Sequence, residues 1–323
     1  MRHARALARL TVLVAGLVAA LVLPAGVVSA APRVHTIASL PSGSGSTIGP
    51  RGDLFVASPT TGEIYRIDRR THRVSTFHSG LPLQVAPVGG VMDVAFLHGK
   101  AYALVTLVGP DVGGSSVVGI YRLDSRTTAT PVADIGTWSI AHPPPTDFFI
   151  PSGVQYSFEP FRGGFLVADG HHNRVLRVRL DGSVSEFTVL DNVVPTGLEV
   201  RGNSVYLAEA GPVPHQPADG RVIRLDGRTG AVRGVVASGA PLLVDVEYGP
   251  GGRLYALSQG DFPGGDPGSP ASPDTGSLVR ATKNGSFATV ATGLDRPTSL
   301  EVQGRTAYVV GLDGTVVSVP LGC

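Results

Sequence analysis

Three features of the sequence predict an all-β chain folded as a six-bladed β-propeller. A unit of about 50 residues returns six times. Each unit strings short runs of Val, Ile, Leu, Tyr and Phe between Gly, Pro, Asp and Asn, in a chain of 323 residues that holds 43 Gly and 26 Pro. No window sustains a helical period, so the runs read as strands joined by turns. The clearest copy is Pro195-Thr196-Gly197-Leu198-Glu199-Val200, then Ser204 to Glu209, then Gly220 to Asp226.

Aligned on that copy, the first strands fall at 46–48, 93–96, 153–156, 197–200, 245–248 and 299–302. Second strands follow at 54–57, 101–104, 165–168, 205–208, 254–257 and 307–310, and third strands at 63–68, 119–124, 175–178, 222–226, 278–281 and 316–319. The first and second strands are apolar on both faces, which suits sheets buried on two sides, as when blades pack around an axis. Shorter fourth strands run through 74–77, 131–134, 184–187, 232–235 and 287–290, and the sixth unit ends without one. The missing strand is predicted at the other end of the chain, where 34–41 reads like 287–294, so the N-terminal strand closes the last blade. Such closure removes open ends from a structure with no helix to cover them.

Ahead of that strand, Arg2, Arg5 and Arg9 precede an apolar run from Leu10 to Val28, and small residues Val28 and Ala30 frame a cut before Ala31. This is the pattern of a secretory signal peptide, so residues 1–30 are expected to be a signal and 31–323 a single propeller domain, secreted or extracytoplasmic. Loss of the three arginines leaves 23 basic and 25 acidic residues, a net charge of −2 for the mature chain. No cationic face remains for nucleic acid, and no membrane insertion is expected once the signal is gone. The lone cysteine, Cys323, is the last residue, so stability must come from packing without an internal disulfide. A monomer is expected.

Val167-Ala168-Asp169-Gly170-His171-His172-Asn173-Arg174-Val175 resembles an NHL-type repeat. Pro195-Thr196-Gly197-Leu198, with Tyr206-Leu207-Ala208-Glu209, resembles secreted bacterial proteins of the ScyD/ScyE family, and the likeness is strongest from about Ile150 to Leu257. The resemblance implies an exported six-bladed propeller and assigns no reaction. A second comparison is with the gluconolactonase-like hydrolases, whose pattern implies Asn or Asp ahead of the first-strand Gly as ligands to a divalent cation. The matching positions here are Met92, Ser152, Thr196, Val244 and Thr298, which lack the carboxylate and amide oxygens that hard cations prefer.

For a site, Asp93 and Asp245 share a column of units two and five, which stand opposite each other in a ring of six, with hydroxyls of Ser152, Thr196 and Thr298 one position earlier. Together these five form the expected binding set, open to a cation, a polyol or a basic group. No cofactor is implied, although a divalent cation has room in such a channel. The connections at 107–116, 211–219 and 259–275, and the link carrying Trp138, His142, Phe148 and Phe149, are expected to crowd one rim, where a small-molecule or protein ligand would enter. His171-His172 is read as a polar cap of a turn, not a metal pair, since adjacent strand residues face opposite ways. Glu199, Glu247 and Glu301 are expected to pair with Arg177, Arg224 and Arg280 of the preceding blades. No nucleophile elbow is present. Ligand binding through the channel and rim is the leading expectation, and a lactonase or lyase acting at the channel mouth is the competing one.

Overall fold

The computed structural model describes residues 33–266 and 268–322; the expected signal segment and Cys323 lie outside them. Six four-stranded antiparallel sheets stand in a ring, a six-bladed β-propeller. Blade one contains Ser46–Ile48, Leu54–Ser58, Glu63–Ile67 and Val74–His78. Blade two contains Gly90–Leu97, Lys100–Thr106, Gly119–Leu123 and Ala129–Asp134, and blade three Gln155–Phe161, Gly164–Asp169, Arg174–Arg179 and Val184–Val189. Blade four is Pro195–Arg201, Ser204–Glu209, Gly220–Asp226 and Val232–Ala240. Blade five is Leu243–Gly249, Arg253–Ser258, Gly276–Ala281 and Phe287–Leu294.

Blade six is built from both ends of the described chain. Pro297–Gln303, Thr306–Gly311 and Thr315–Pro320 supply three strands, and His35–Ser39 adds the outer one, pairing His35 with Ser318 and Ser39 with Thr315. The closure expected from the likeness of 34–41 to 287–294 is therefore the observed one.

Alternation along the second strands explains why both faces are apolar. In blade one, Phe55 and Ala57 join a cluster with Val91, Val94 and Ala103 of blade two, while Leu54 and Val56 pack on Val310 and Val316 of blade six. Four further clusters repeat this at the remaining blade junctions, so the core is six wedges of side chains between neighbouring sheets. The outer strand of every blade carries a register shift against its neighbour. Irregularity of this kind makes an exposed edge a poor template for another chain.

Two expectations change. The link between blades two and three contains a helix, Ile135–Ala141, too short to show a helical period in the sequence. Asp134 caps it, accepting from the Thr137 N–H at 2.9 Å and the Thr137 hydroxyl at 2.8 Å. It is held from below by the buried Arg174, whose Nη2 donates to Ser139 Oγ at 3.1 Å and Nη1 to the His142 carbonyl at 2.7 Å, with the guanidinium 5.0 Å from the Trp138 ring centre. The inner strand of blade three also begins later than 153–156. It runs Gln155–Phe161, in a register that pairs Ser157 with Ala168 and Glu159 with Leu166. Among the described residues no helix is long and apolar enough to cross a membrane.

Candidate functional site

The registers place Gly45, Asp93, Ser157, Gly197, Asp245 and Ser299 at one level of the six inner strands. The order Gly, Asp, Ser repeats twice, so this layer has a twofold pattern within a sixfold ring. Each aspartate joins its blade to the next. Asp93 Oδ2 accepts from the Phe158 N–H of blade three at 3.0 Å, and Asp245 Oδ2 from the Leu300 N–H of blade six at 2.8 Å. Their other oxygens take the following N–H of their own strands, both at 2.8 Å. Glycine precedes each aspartate in the ring because a side chain would collide: a Cβ on Gly45 would meet Asp93 Oδ1 at 2.1 Å, and one on Gly197 would meet the Asp245 Cα at 2.5 Å. The serines complete the layer, Ser157 Oγ donating to the Thr196 carbonyl at 2.5 Å and Ser299 Oγ meeting Ser46 Oγ at 2.8 Å.

Two residues further along the strands lies a second layer: Thr47, Ala95, Glu159, Glu199, Glu247 and Glu301. Among the described residues no ion pair joins Glu199, Glu247 or Glu301 to Arg177, Arg224 or Arg280, contrary to expectation. The inner strands hug the axis, and the third strands lie about 10 Å further out, so the glutamates turn to the channel and to each other. Glu199 and Glu301 accept from the backbone N–H groups of Tyr248 and Ile48 in the next blades. Glu159 makes no hydrogen bond to the described residues, and desolvation, then the repulsion of Glu199, Asp93 and Asp245, raise its pKa.

Both layers open into a cavity of about 350 Å³ that reaches the long-loop rim. Asp93, Asp245, Glu159, Glu247 and Glu301 line it, and no lysine or arginine does. Desolvation dominates their ionisation. It pushes Asp245 up to about 7, against the two N–H groups that favour its charge, and raises Asp93, Glu159, Glu247 and Glu301 well above the carboxylate range. Glu199, outside the cavity wall, rises to about 7 through burial and then the nearby Asp245.

Nearer the rim the wall changes character. Met92, Val244, Val194 and Leu242 face the cavity beside Tyr156, and His215, Gln259 and Gly268 to Pro270 close over it from the loops of blades four and five. Tyr156 Oη lies 2.9 Å from His171 Nε2. Burial, and then the neighbouring His215, hold the His171 imidazole down at about 4, so the ring is neutral. His215 packs edge-on against Phe262 and leaves Nδ1 without a partner. His172 is committed to the wall, with Nε2 2.9 Å from the Ile150 carbonyl and Nδ1 2.9 Å from Arg174.

Of the five residues expected to form the site, Asp93, Asp245, Thr196 and Thr298 line the cavity. Both threonine hydroxyls face away from a ligand: Thr196 donates to the carbonyls of Ala208 and Leu243, and Thr298 to those of Ser44 and Val310. Ser152 does not belong to the set. It is buried under the link, with its N–H on Asp111 Oδ2 at 3.0 Å, and Tyr156 occupies the position assigned to it. The rim-level positions are therefore Ser44, Met92, Tyr156, Thr196, Val244 and Thr298. That donor set does not fit a divalent cation, and among the described residues no group of three His, Cys, Asp or Glu is arranged to hold one. Trp138 is engaged with Arg174 and stacked on His142 at 4.4 Å, whereas Phe148 and Phe149 stay exposed on the rim.

Glu159 was missed because Ser152-Gly153 imitates Thr196-Gly197. The signal that finds it is Ser157-Phe158-Glu159, which matches Ser299-Leu300-Glu301.

No family model matches the sequence, and no curated protein matches it. Solved structures do match. A gluconolactonase from Xanthomonas campestris is 13% identical, with a TM-score of 0.61 over 90% of this chain and 90% of that one. An aldose sugar dehydrogenase from Streptomyces coelicolor, solved with bound PQQ, is 15% identical with a TM-score of 0.60 over 90% and 99%. A virginiamycin B lyase from Staphylococcus aureus is 13% identical with a TM-score of 0.53 over 90% and 99%. At these identities the likeness is one of fold, and it places the chain among six-bladed β-propeller proteins.

Proposed function

We propose that this protein is an exported propeller that binds a small organic cation head-down in its axial channel, admitted through the long-loop rim. The observation that carries the reading is the cavity wall: five carboxyl groups at depth, no lysine or arginine among its described residues, and a mouth above them that is mostly apolar and aromatic, with His215 at its edge. An amine entering with its charge first meets acceptors at the floor and apolar contacts around its body, the division of labour found in small-molecule sites. Burial disfavours the ionised form of these acids. A bound cation favours the ionised acids and releases protons, so affinity rises with pH. The ScyD/ScyE-like motifs and the signal-like residues 1–30 support placing the protein outside the cytoplasm, in that family.

The test is a titration of the purified protein with butylamine and with butyrate at pH 8, read as a shift in thermal midpoint. Butylamine is expected to raise the midpoint and butyrate to leave it unchanged, with the amine effect reduced in the E159Q/E301Q variant. Equal responses to the two compounds, or an amine effect unchanged in that variant, would remove the reading.

A second reading, a lyase-type or lactonase-like enzyme at the channel mouth, draws on the Tyr156–His171 pair. A neutral imidazole bonded to a phenol on the cavity wall is an acid–base arrangement. It predicts that a substrate held in the channel is turned over, and that H171A abolishes turnover while leaving binding intact.

A further inference from the structure

The two acidic layers differ in depth, and that spacing bears on which cation fits. We infer that the preferred ligand is a linear dication, an α,ω-diamine whose ammonium groups are separated by four or five methylenes, lying along the channel axis with one head at the aspartates and the other at the glutamates. This rests on the reading of the channel as a cation site and names the class of cation.

Asp93 and Asp245 stand on opposite blades one level below the rim, and Glu159, Glu247 and Glu301 stand two residues deeper on their strands. Two residues along a strand rise about 6.5 Å, roughly the distance between the nitrogens of an extended diamine with four or five methylenes. The upper layer retains capacity despite its structural bonds. Each aspartate takes two N–H groups, Asp245 the Ser299 hydroxyl as well, and an ionised carboxylate has about four acceptor positions, so a ligand ammonium can still be received there. The lower layer has an acceptor in want of a donor: Glu159 is half-buried in the cavity wall, with no hydrogen bond to the described residues. A ligand ammonium would give that carboxylate a charged partner.

Charge count points the same way. One ammonium would face five carboxyls and leave one layer uncompensated, whereas two ammonium groups answer both layers. Between the layers the wall is mostly hydrocarbon, with Val94 and Phe158 lining it beside Ser46, whose hydroxyl is engaged with Ser299, and suits a methylene chain. Glu199 and Arg201 are near enough to interact and stay outside the cavity, so no fixed cation competes for the lower layer.

The experiment is calorimetric titration at pH 8 with butylamine and with diamines of three to eight methylenes. The four- and five-methylene diamines are expected to bind at least tenfold more tightly than butylamine and than the three- and eight-methylene diamines. Neutralising either layer, with D93N/D245N above or E159Q/E301Q below, should reduce those two diamines to the affinity of butylamine and flatten the chain-length profile. Asn retains an acceptor for the inter-blade N–H, and a melting curve for each variant confirms that it is folded. If butylamine binds and the profile is flat in the wild type, the dication inference is overturned and the cation reading stands. If no amine binds, both fall.

Discussion

Asp93 and Asp245 each have both oxygens on backbone N–H groups, one of them in the next blade, whereas Glu159, two residues deeper, has no hydrogen bond. The same functional group thus serves different ends in adjacent layers of one channel. At the upper level it is part of the ring's construction, matched by glycines that make room for it. At the lower level Glu159, Glu247 and Glu301 line the cavity among other carboxyls, an arrangement that disfavours their charge. Groups placed against their own ionisation mark a functional candidate more often than a structural one.

The sharpest way to break this contrast is D93A/D245A. It strands the buried N–H groups of Phe158 and Leu300, and each loss is expected to lower stability by about 1–3 kcal/mol. A melting curve in calorimetry checks this, and an unchanged midpoint would show that the aspartates do not join the blades.

Next in size is G197A. Its Cβ would press on the Asp245 backbone at 2.5 Å, so blades four and five must separate, at about 1–3 kcal/mol. The same method applies, and the effect should exceed that of an alanine at Gly322, where a Cβ meets nothing within 4 Å.

The acids of both layers are expected to reveal themselves in pH dependence. They have folded pKa values above their unfolded ones, so the folded state holds extra protons, and the stability they contribute is present in acid and lost as pH rises. The thermal midpoint should fall between about pH 6.5 and pH 8, with Asp245 and Glu199 titrating near 7. Below that window the imidazoles of His171 and His215, held low by burial, act in the opposite sense, as do surface acids such as Asp68, Asp124 and Asp181 below the ordinary carboxylate range. A midpoint that climbs from about pH 6.5 to pH 8 would contradict the assignment.

The smallest effect is that of E159Q, expected to raise stability at pH 8 by under about 1 kcal/mol and to shallow the pH slope, since it removes a charge that has no partner. Destabilisation by this variant would mean that Glu159 is structural like the aspartates above it.

Much of this was legible in the sequence. The sixfold period, the apolar strands and the likeness of 34–41 to 287–294 determine a closed ring of six blades, because a repeated unit that buries both faces needs a neighbour on each side. The shared column of Asp93 and Asp245 was also visible, since equivalent positions in a repeat occupy equivalent places in the ring. Only the tertiary structure decided which way the side chains turn. Ser152-Gly153 has the local pattern of a strand start, and the pairing of Glu159 with Leu166, set by contacts across the whole blade, overrode it. Likewise Arg177, Arg224 and Arg280 fall beside Glu199, Glu247 and Glu301 when the repeats are aligned and form no ion pair with them in space, because the distance between an inner and a third strand is a property of the folded sheet. The meeting of five carboxyls in one cavity joins residues from four blades, and no local pattern in the chain encodes that convergence.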